Sequence, residues 1–233
     1  MKRLILFIYY VTIITNVFSQ AQEIGKTEGE LLYNLDYYLN KNKEIKDNEI
    51  LGSPYLYEKF VDGKVYFKER DKQLNSILNY NAFSDEIDFR IDEKIYSFKN
   101  PEDVLKIVTD EGVLVFNTYV NNNSVKKGFL IELVDNKISL YKKEKIVYVH
   151  PKEARNAYEK DKPGRYNRIK PQFYISVNDN TAFVVKNKKS LLKEFRKRLE
   201  ISDFLKKEKV NLKSEEDIIR LVKYINQFFD YNL

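Results

Sequence analysis

Short runs of alternating polar and apolar residues, each closed by Asn, Asp or Gly, succeed one another from residue 52 to residue 186. The runs at 64–69, 73–80, 85–90 and 94–98 are followed by 104–109 and 113–120 around the turn Asp110-Glu111-Gly112. Residues 127–134 and 137–149 flank Asp135-Asn136, and 172–177 and 181–186 flank Asn178-Asp179-Asn180. Such runs, rich in β-branched and aromatic side chains and bounded by turn formers about every eight to twelve residues, specify antiparallel strands. No helical stretch interrupts the series, so the sheet must manage its edges by curling. Residues 151–169 are charged, carry Pro163-Gly164, and read as a connecting excursion over the surface.

Helical spacing returns only at the end of the chain. Leu191, Leu192, Phe195 and Leu199 form one apolar stripe, with Lys188, Lys189, Lys193, Arg196, Lys197 and Arg198 around it as a solvated outer face. Ser214 precedes Glu215-Glu216-Asp217, the layout of a capped helix start, and Ile218, Ile219, Leu221, Val222, Ile225, Phe228 and Phe229 continue as an apolar face. The expected fold class is therefore α+β, an antiparallel β meander curled into a barrel or sandwich and followed by C-terminal helices. Four segments are expected: a signal peptide at 1–19, a flexible N-terminal segment at 20–50, an antiparallel β domain at 51–186 and a helical segment packed on the sheet at 187–233. Within 20–50, Leu31 to Leu39 has the spacing of a short helix.

The N-terminus supplies an address. Lys2 and Arg3 precede an apolar run from Leu4 to Ile14, and Val17-Phe18-Ser19 offers a cleavage site before Gln20. That run is about half the ~20 residues a bilayer-spanning helix needs. A periplasmic or secreted protein without a stable transmembrane anchor is expected. Removing 1–19 takes away two cations and no acid, lowering the net charge from +6 to +4, which is ordinary solubility. The chain has no Cys, so export brings no disulfide and stability must come from packing.

Composition also excludes most catalytic chemistry. Without Cys there is no thiol nucleophile or thiolate metal site, and the single His150 cannot build a multi-histidine zinc site. The seven glycines are scattered singly, with no phosphate-cradling loop. Carboxylates remain. Asp85, Glu86, Asp88, Asp92 and Glu93 fall close together, and on a strand Glu86 and Asp88 would share one face, opposite Ile87 and Phe89. Such a pair suits a hard cation, but no calcium-loop spacing accompanies it, and a solvated hairpin edge is the favoured reading. No metal and no cofactor are expected.

With eighteen Tyr in the chain and Tyr enriched at interfaces, the reading adopted is a non-enzymatic cell-envelope or secreted protein that binds another macromolecule. An envelope protein or polymer is the expected partner, and nucleic acid is not. Tyr55, Tyr57 and Tyr80 are the candidate contact residues. Two alternatives stand beside it: a β-barrel holding a small apolar ligand, and a hydrolase using two of Asp85, Glu86, Asp88, Glu132 and Asp135 across a cleft.

Particular stretches carry a resemblance. They are Gly52-Ser53-Pro54-Tyr55-Leu56 with Glu58-Lys59-Phe60, Leu78-Asn79-Tyr80-Asn81 before Asp85-Glu86-Ile87-Asp88-Phe89, Lys188 to Leu192, and Glu215 to Val222. Together they resemble an uncharacterised family of exported proteins of Bacteroidota-type bacteria. The resemblance spans about residues 52–230 and implies a compartment and an architecture, with no established activity.

Overall fold

The computed structural model describes residues 39–41, 50–69, 72–91, 94–154, 161–195 and 198–229. The expected signal peptide, nearly all of segment 20–50, Asp92, Glu93, Arg196 and Lys197 lie outside the described residues. Leu39, placed at the end of a helix by its spacing, instead opens a short strand, β1 (Leu39–Lys41). The chain divides after residue 40 into two compact units, and every element named below belongs to the second.

That unit begins with strands β2 (Val61–Phe67), β3 (Gln73–Asn81), β4 (Glu86–Ile91) and β5 (Lys94–Phe98). Then come β6 (Val104–Thr109), β7 (Gly112–Asn121), β8 (Ser124–Val134) and β9 (Ile138–Lys143). Strands β5, β4, β3, β2, β6 and β7 neighbour one another in that order as an open antiparallel sheet. Its alternation puts Val65, Leu78, Tyr80, Ile87, Phe89 and Ile107 inside, while Ile77, between two inward positions, is exposed.

The sheet then closes. Strands β12 (Gln172–Val177) and β13 (Ala182–Val184) complete a ring in which β7 pairs β8, β8 pairs β9, β9 pairs β12, β12 pairs β13, and β13 returns to β7. Four of these pairings are antiparallel and the fifth, β13 with β7, is parallel. Parity requires it: alternating directions around an odd ring leave one like-directed pair. The β7–β8 and β12–β13 hairpins turn through Asn122-Asn123 and Asn178-Asp179, all with positive φ, the conformation that twisted hairpins favour and Asn and Asp tolerate. The expected curled meander with C-terminal helices is thus the fold observed, with the parallel seam added.

Tyr119, Leu130, Tyr141, Tyr174 and Ala182, with Val115 and Val184, pack together from all five ring strands. Eight strands give a barrel only just wide enough for side chains or one small ligand, and this ring of five is filled by three tyrosines and their neighbours. On the outer side, Ile138, Leu140, Phe173, Ile175 and Val185 meet α1 (Lys188–Lys193), α2 (Arg198–Lys207), α3 (Glu215–Phe229) and the link after α1 through Leu191, Phe195, Ile201, Leu205, Ile218, Leu221, Val222 and Ile225. The Ser214 hydroxyl accepts from the Asp217 N–H at 3.4 Å, and three acids fill the first turn of α3.

Three local expectations need correction. Residues 137–149 are not one strand: β9 stops at Lys143, and the chain turns at Glu144-Lys145 into β10 (Ile146–Val149), because Glu144 is buried in an ion-paired site. The surface excursion contains β11 (Arg165–Arg168), whose polar sequence hid its antiparallel pairing with β10. Leu199 leaves the apolar stripe and is 79% exposed, because the chain breaks between α1 and α2 and resets the helical phase.

Asn226, 5% exposed on α3, extends the edge of β9: its Oδ1 accepts from the Ile138 N–H at 2.9 Å, and its Nδ2 donates to Ile138 O at 2.9 Å and Val222 O at 3.1 Å. Asn226→Ala would strand both backbone groups of buried Ile138. The expected cost is about 2–4 kcal/mol, read as a lower urea midpoint with an unchanged slope; a midpoint within error of the parent would refute this clamp.

Candidate functional site

The segment 50–60 is laid over the open sheet by polar side chains of β3 and β4. Asn79, 1% exposed, accepts from the Tyr57 N–H at 3.2 Å and donates to Tyr57 O at 2.9 Å and Lys59 O at 3.0 Å. Tyr55 is half-buried and its hydroxyl donates to Asp88 Oδ2 at 2.9 Å, an oxygen that also accepts from Asn81 Nδ2 at 3.1 Å. Burial, then the Asp88 charge, push the Tyr55 hydroxyl far above its ordinary value. Asp88 is therefore no solvated hairpin edge: at 2% exposure it is the anchor of the covering segment.

Tyr57 borders a polar groove of about 370 Å³ whose walls include Glu111, Glu132, Lys142, Arg168 and Glu215. Lys142 reaches Glu215 at 2.8 Å, and Arg168 reaches the buried Glu144 at 2.8 Å. Burial, then Asp135, raise the Glu132 carboxyl above its ordinary value. Of the five carboxylates named for a hydrolase, Asp85 and Asp88 are engaged with Lys143 and Tyr55, Glu86 is exposed, and Asp135 contributes to the raised Glu132 carboxyl.

Tyr80 is misplaced as a surface contact: it is 1% exposed, turned inward by the alternation of β3. Its hydroxyl instead enters a cluster at one end of the barrel. Asp85 closes the β3–β4 turn with φ 64°, and its Oδ1 accepts from Lys143 Nζ at 2.5 Å, Tyr80 OH at 2.8 Å and the Phe129 N–H at 3.2 Å. Lys143 Nζ also donates to Phe129 O at 2.8 Å and lies 5.7 and 5.6 Å from the ring centres of Tyr80 and Tyr119. Burial pushes the Lys143 amine below its ordinary value, against the pull of Asp85. The Tyr119 hydroxyl is raised to about 12 by burial and then Asp85, and Tyr80 is raised well above its usual range by burial first. Gly128 makes the room, because a Cβ there would lie 2.1 Å from Asp85 Oδ2 and 3.0 Å from Lys143 Nζ. Lys143 was missed in the sequence, although its parity with inward Tyr141 and a lone glycine in the facing strand are the signals of such a site.

A second surface was also missed. On the β10–β11 ribbon, Tyr148 lies opposite Tyr166 with ring centres 5.4 Å apart. His150 stands edge-on to Tyr148 at 5.0 Å, and Phe83, 48% exposed, stands edge-on to Tyr166 at 5.4 Å. The four rings form a continuous surface ladder. Gly164 lets Tyr148 lie flat, since a Cβ would sit 2.2 Å from its hydroxyl oxygen. Leu51 adds beside β11 by donating to Gly164 O at 2.9 Å and accepting from the Tyr166 N–H at 2.8 Å. Around the ladder, Lys145, Lys152, Lys162, Arg165, Arg168 and Lys170 are exposed. Of the nearby described acids, Glu144 is consumed by Arg168, while Glu153 and Asp161 remain at the surface.

No protein-family model matches this chain, and neither a curated protein nor a solved structure shows significant similarity to it.

Gly128→Ala should expel Asp85 from Lys143 and leave a mostly buried ammonium without its partner. A loss on the order of 3 kcal/mol is expected in chemical denaturation, and a loss below about 0.5 kcal/mol would disprove the requirement for glycine.

The tyrosines predict an alkaline response. Tyr55, Tyr57, Tyr80, Tyr119, Tyr141 and Tyr174 all have raised values, each with burial as the leading cause. In the unfolded chain they ionise near 10, so above that pH the unfolded state holds fewer protons and stability falls as pH rises. Net destabilisation is therefore expected between about pH 10 and 12. Phenolate absorbance should rise in two phases, the second coinciding with loss of circular dichroism; a single phase in a chain that stays folded would contradict the burial of these rings.

Proposed function

We propose that this protein is a non-enzymatic, exported cell-envelope or secreted protein that binds an anionic polymer through the β10–β11 ribbon. The observation that carries this reading is the ladder Phe83–Tyr166–Tyr148–His150, held at the surface by Gly164 and bordered by six exposed cations. A single exposed aromatic residue needs no explanation, but four adjoining rings, with Tyr148 and Tyr166 half-buried among them, beside a group of exposed cations form a contact surface. The rings offer apolar faces to repeating ring units, and Arg and Lys offer donors to acidic groups on the same chain.

A polymer of acidic sugars fits both halves of this surface, with ring faces on the tyrosines and carboxylates on the cations. A small apolar ligand has no support from the barrel, because three tyrosines, Leu130 and Ala182 fill its interior. Export rests on the signal-like residues 1–19, and it is what favours an envelope polymer over nucleic acid, which could meet the same chemistry. Tyr55 and Tyr57 serve this surface indirectly: they fasten the segment that places Leu51 along β11.

Binding of the purified chain to an acidic polysaccharide, a neutral polysaccharide of similar length and a single-stranded oligonucleotide tests the reading. Saturable binding to the acidic polysaccharide is expected, weakening with salt as ion pairs are screened. Tyr166→Ala should weaken it by about 10-fold or more, as expected for an aromatic anchor, with the fold intact. Equal binding to the neutral polymer, tighter binding to the oligonucleotide, or no effect of Tyr166→Ala would each overturn it.

A further inference from the structure

The barrel-end cluster has the parts of a self-condensing site. We propose that Lys143 and Asp85 join through an intramolecular amide bond between Nζ and Cγ, stapling the β3–β4 turn to β9 without any cysteine. The two residues are 58 positions apart in sequence, and Nζ already lies 2.5 Å from Asp85 Oδ1. The hydrogen bond from Nζ to Phe129 O fixes the direction of the amine. Pre-set proximity of this kind removes much of the entropic barrier to a bimolecular condensation.

The surroundings suit the chemistry at each atom. Lys143 has an 11% exposed side chain with the rings of Tyr80 and Tyr119 against its ammonium group. Burial of this kind makes the neutral, nucleophilic amine easier to reach. Asp85 Oδ1 is held by two donors besides the lysine, Tyr80 OH at 2.8 Å and the Phe129 N–H at 3.2 Å. Those donors are placed where negative charge develops when a nucleophile adds to Cγ. The other oxygen, Oδ2, lies against Gly128, in space that any side chain would fill.

The atoms balance without a co-reactant. The Lys143 ammonium gives one proton to the Asp85 carboxyl group, producing a neutral amine and a neutral carboxylic acid that carries its proton on Oδ2. The nitrogen lone pair forms the N–Cγ bond while the carbonyl electron pair moves onto Oδ1, where Tyr80 and Phe129 stabilise it. Oδ1 then re-forms its double bond, the Cγ–Oδ2 bond breaks, and Oδ2 leaves as water with a proton from the nitrogen. The net change is loss of one water molecule, with nothing oxidised or reduced.

Mass spectrometry of the denatured chain decides the matter, since the bond survives unfolding. The expected result is a chain lighter than its calculated mass by one water, with a branched peptide from proteolysis containing both Asp85 and Lys143. Lys143→Arg and Asp85→Ala should return the full calculated mass, whether or not they fold. Tyr80→Phe, which removes one donor to Oδ1, should slow bond formation by about 100-fold. A wild-type chain at its full mass, a deficit that maps to another peptide, or a deficit that persists in Lys143→Arg would overturn the proposal. Undiminished speed in Tyr80→Phe would overturn the assignment of Oδ1 as the charged oxygen.

Discussion

Strand β7 is asked to serve two sheets at once. Along one edge it pairs with β8 from Val113 to Asn121. Its other edge is divided: Gly112 to Leu114 face β6 of the open sheet, and Tyr119 and Val120 face β13 of the barrel. A strand has only two edges, so a meander can run into a closed ring only if one strand is long enough to share an edge between them. The extended run of residues 112–121 meets that need. Everything distal to it, including the inward Tyr119 and the position of Gly128 opposite Asn117, follows from the register it sets.

The attachments around this frame are polar. Asn79 and Asp88 hold the segment 50–60 against β3 and β4, Asp85 holds the turn to the barrel end, and Asn226 joins α3 to β9. Each is buried or largely buried and each has its hydrogen bonds satisfied by specific partners, which is what allows such groups inside a fold. Apolar contact supplies most of the driving force, but it is indifferent to small slips. These bonds are not, and they fix where the segment 50–60, the β3–β4 turn and α3 sit.

What could be read from the sequence follows the same division. The β domain was visible because alternation, β-branched residues and Asn-rich turns report local backbone geometry, as at Asn122-Asn123 and Asn178-Asp179. The helix from Glu215 was visible for the same reason, through Ser214 and its apolar face. The parallel seam was not, since it joins positions around 119 and 182 that no local pattern connects. Asp88 failed as a surface residue because its burial depends on the distant segment that carries Tyr55. Tyr80 failed because its inward face packs against the barrel strand that carries Phe129. Strand β11, with the sequence Arg-Tyr-Asn-Arg, has no apolar alternation and owes its conformation to β10 and Leu51. Tyr148 and Tyr166 therefore looked like two scattered tyrosines.

The seam between β13 and β7 also sets an order of events. It is two residue pairs long, and the strand that makes it is only three residues. The helices that cover this side of the barrel lie later still in the chain, and Asn226 stands 88 positions from the strand residue it secures. Contacts of such separation carry a high closure cost and form slowly. The ring thus has no means of completing itself while residues 182–226 are unavailable, and the first two-thirds of the chain remain an unclosed sheet until the last third arrives. A protein built this way becomes compact late, when almost the whole polypeptide is present.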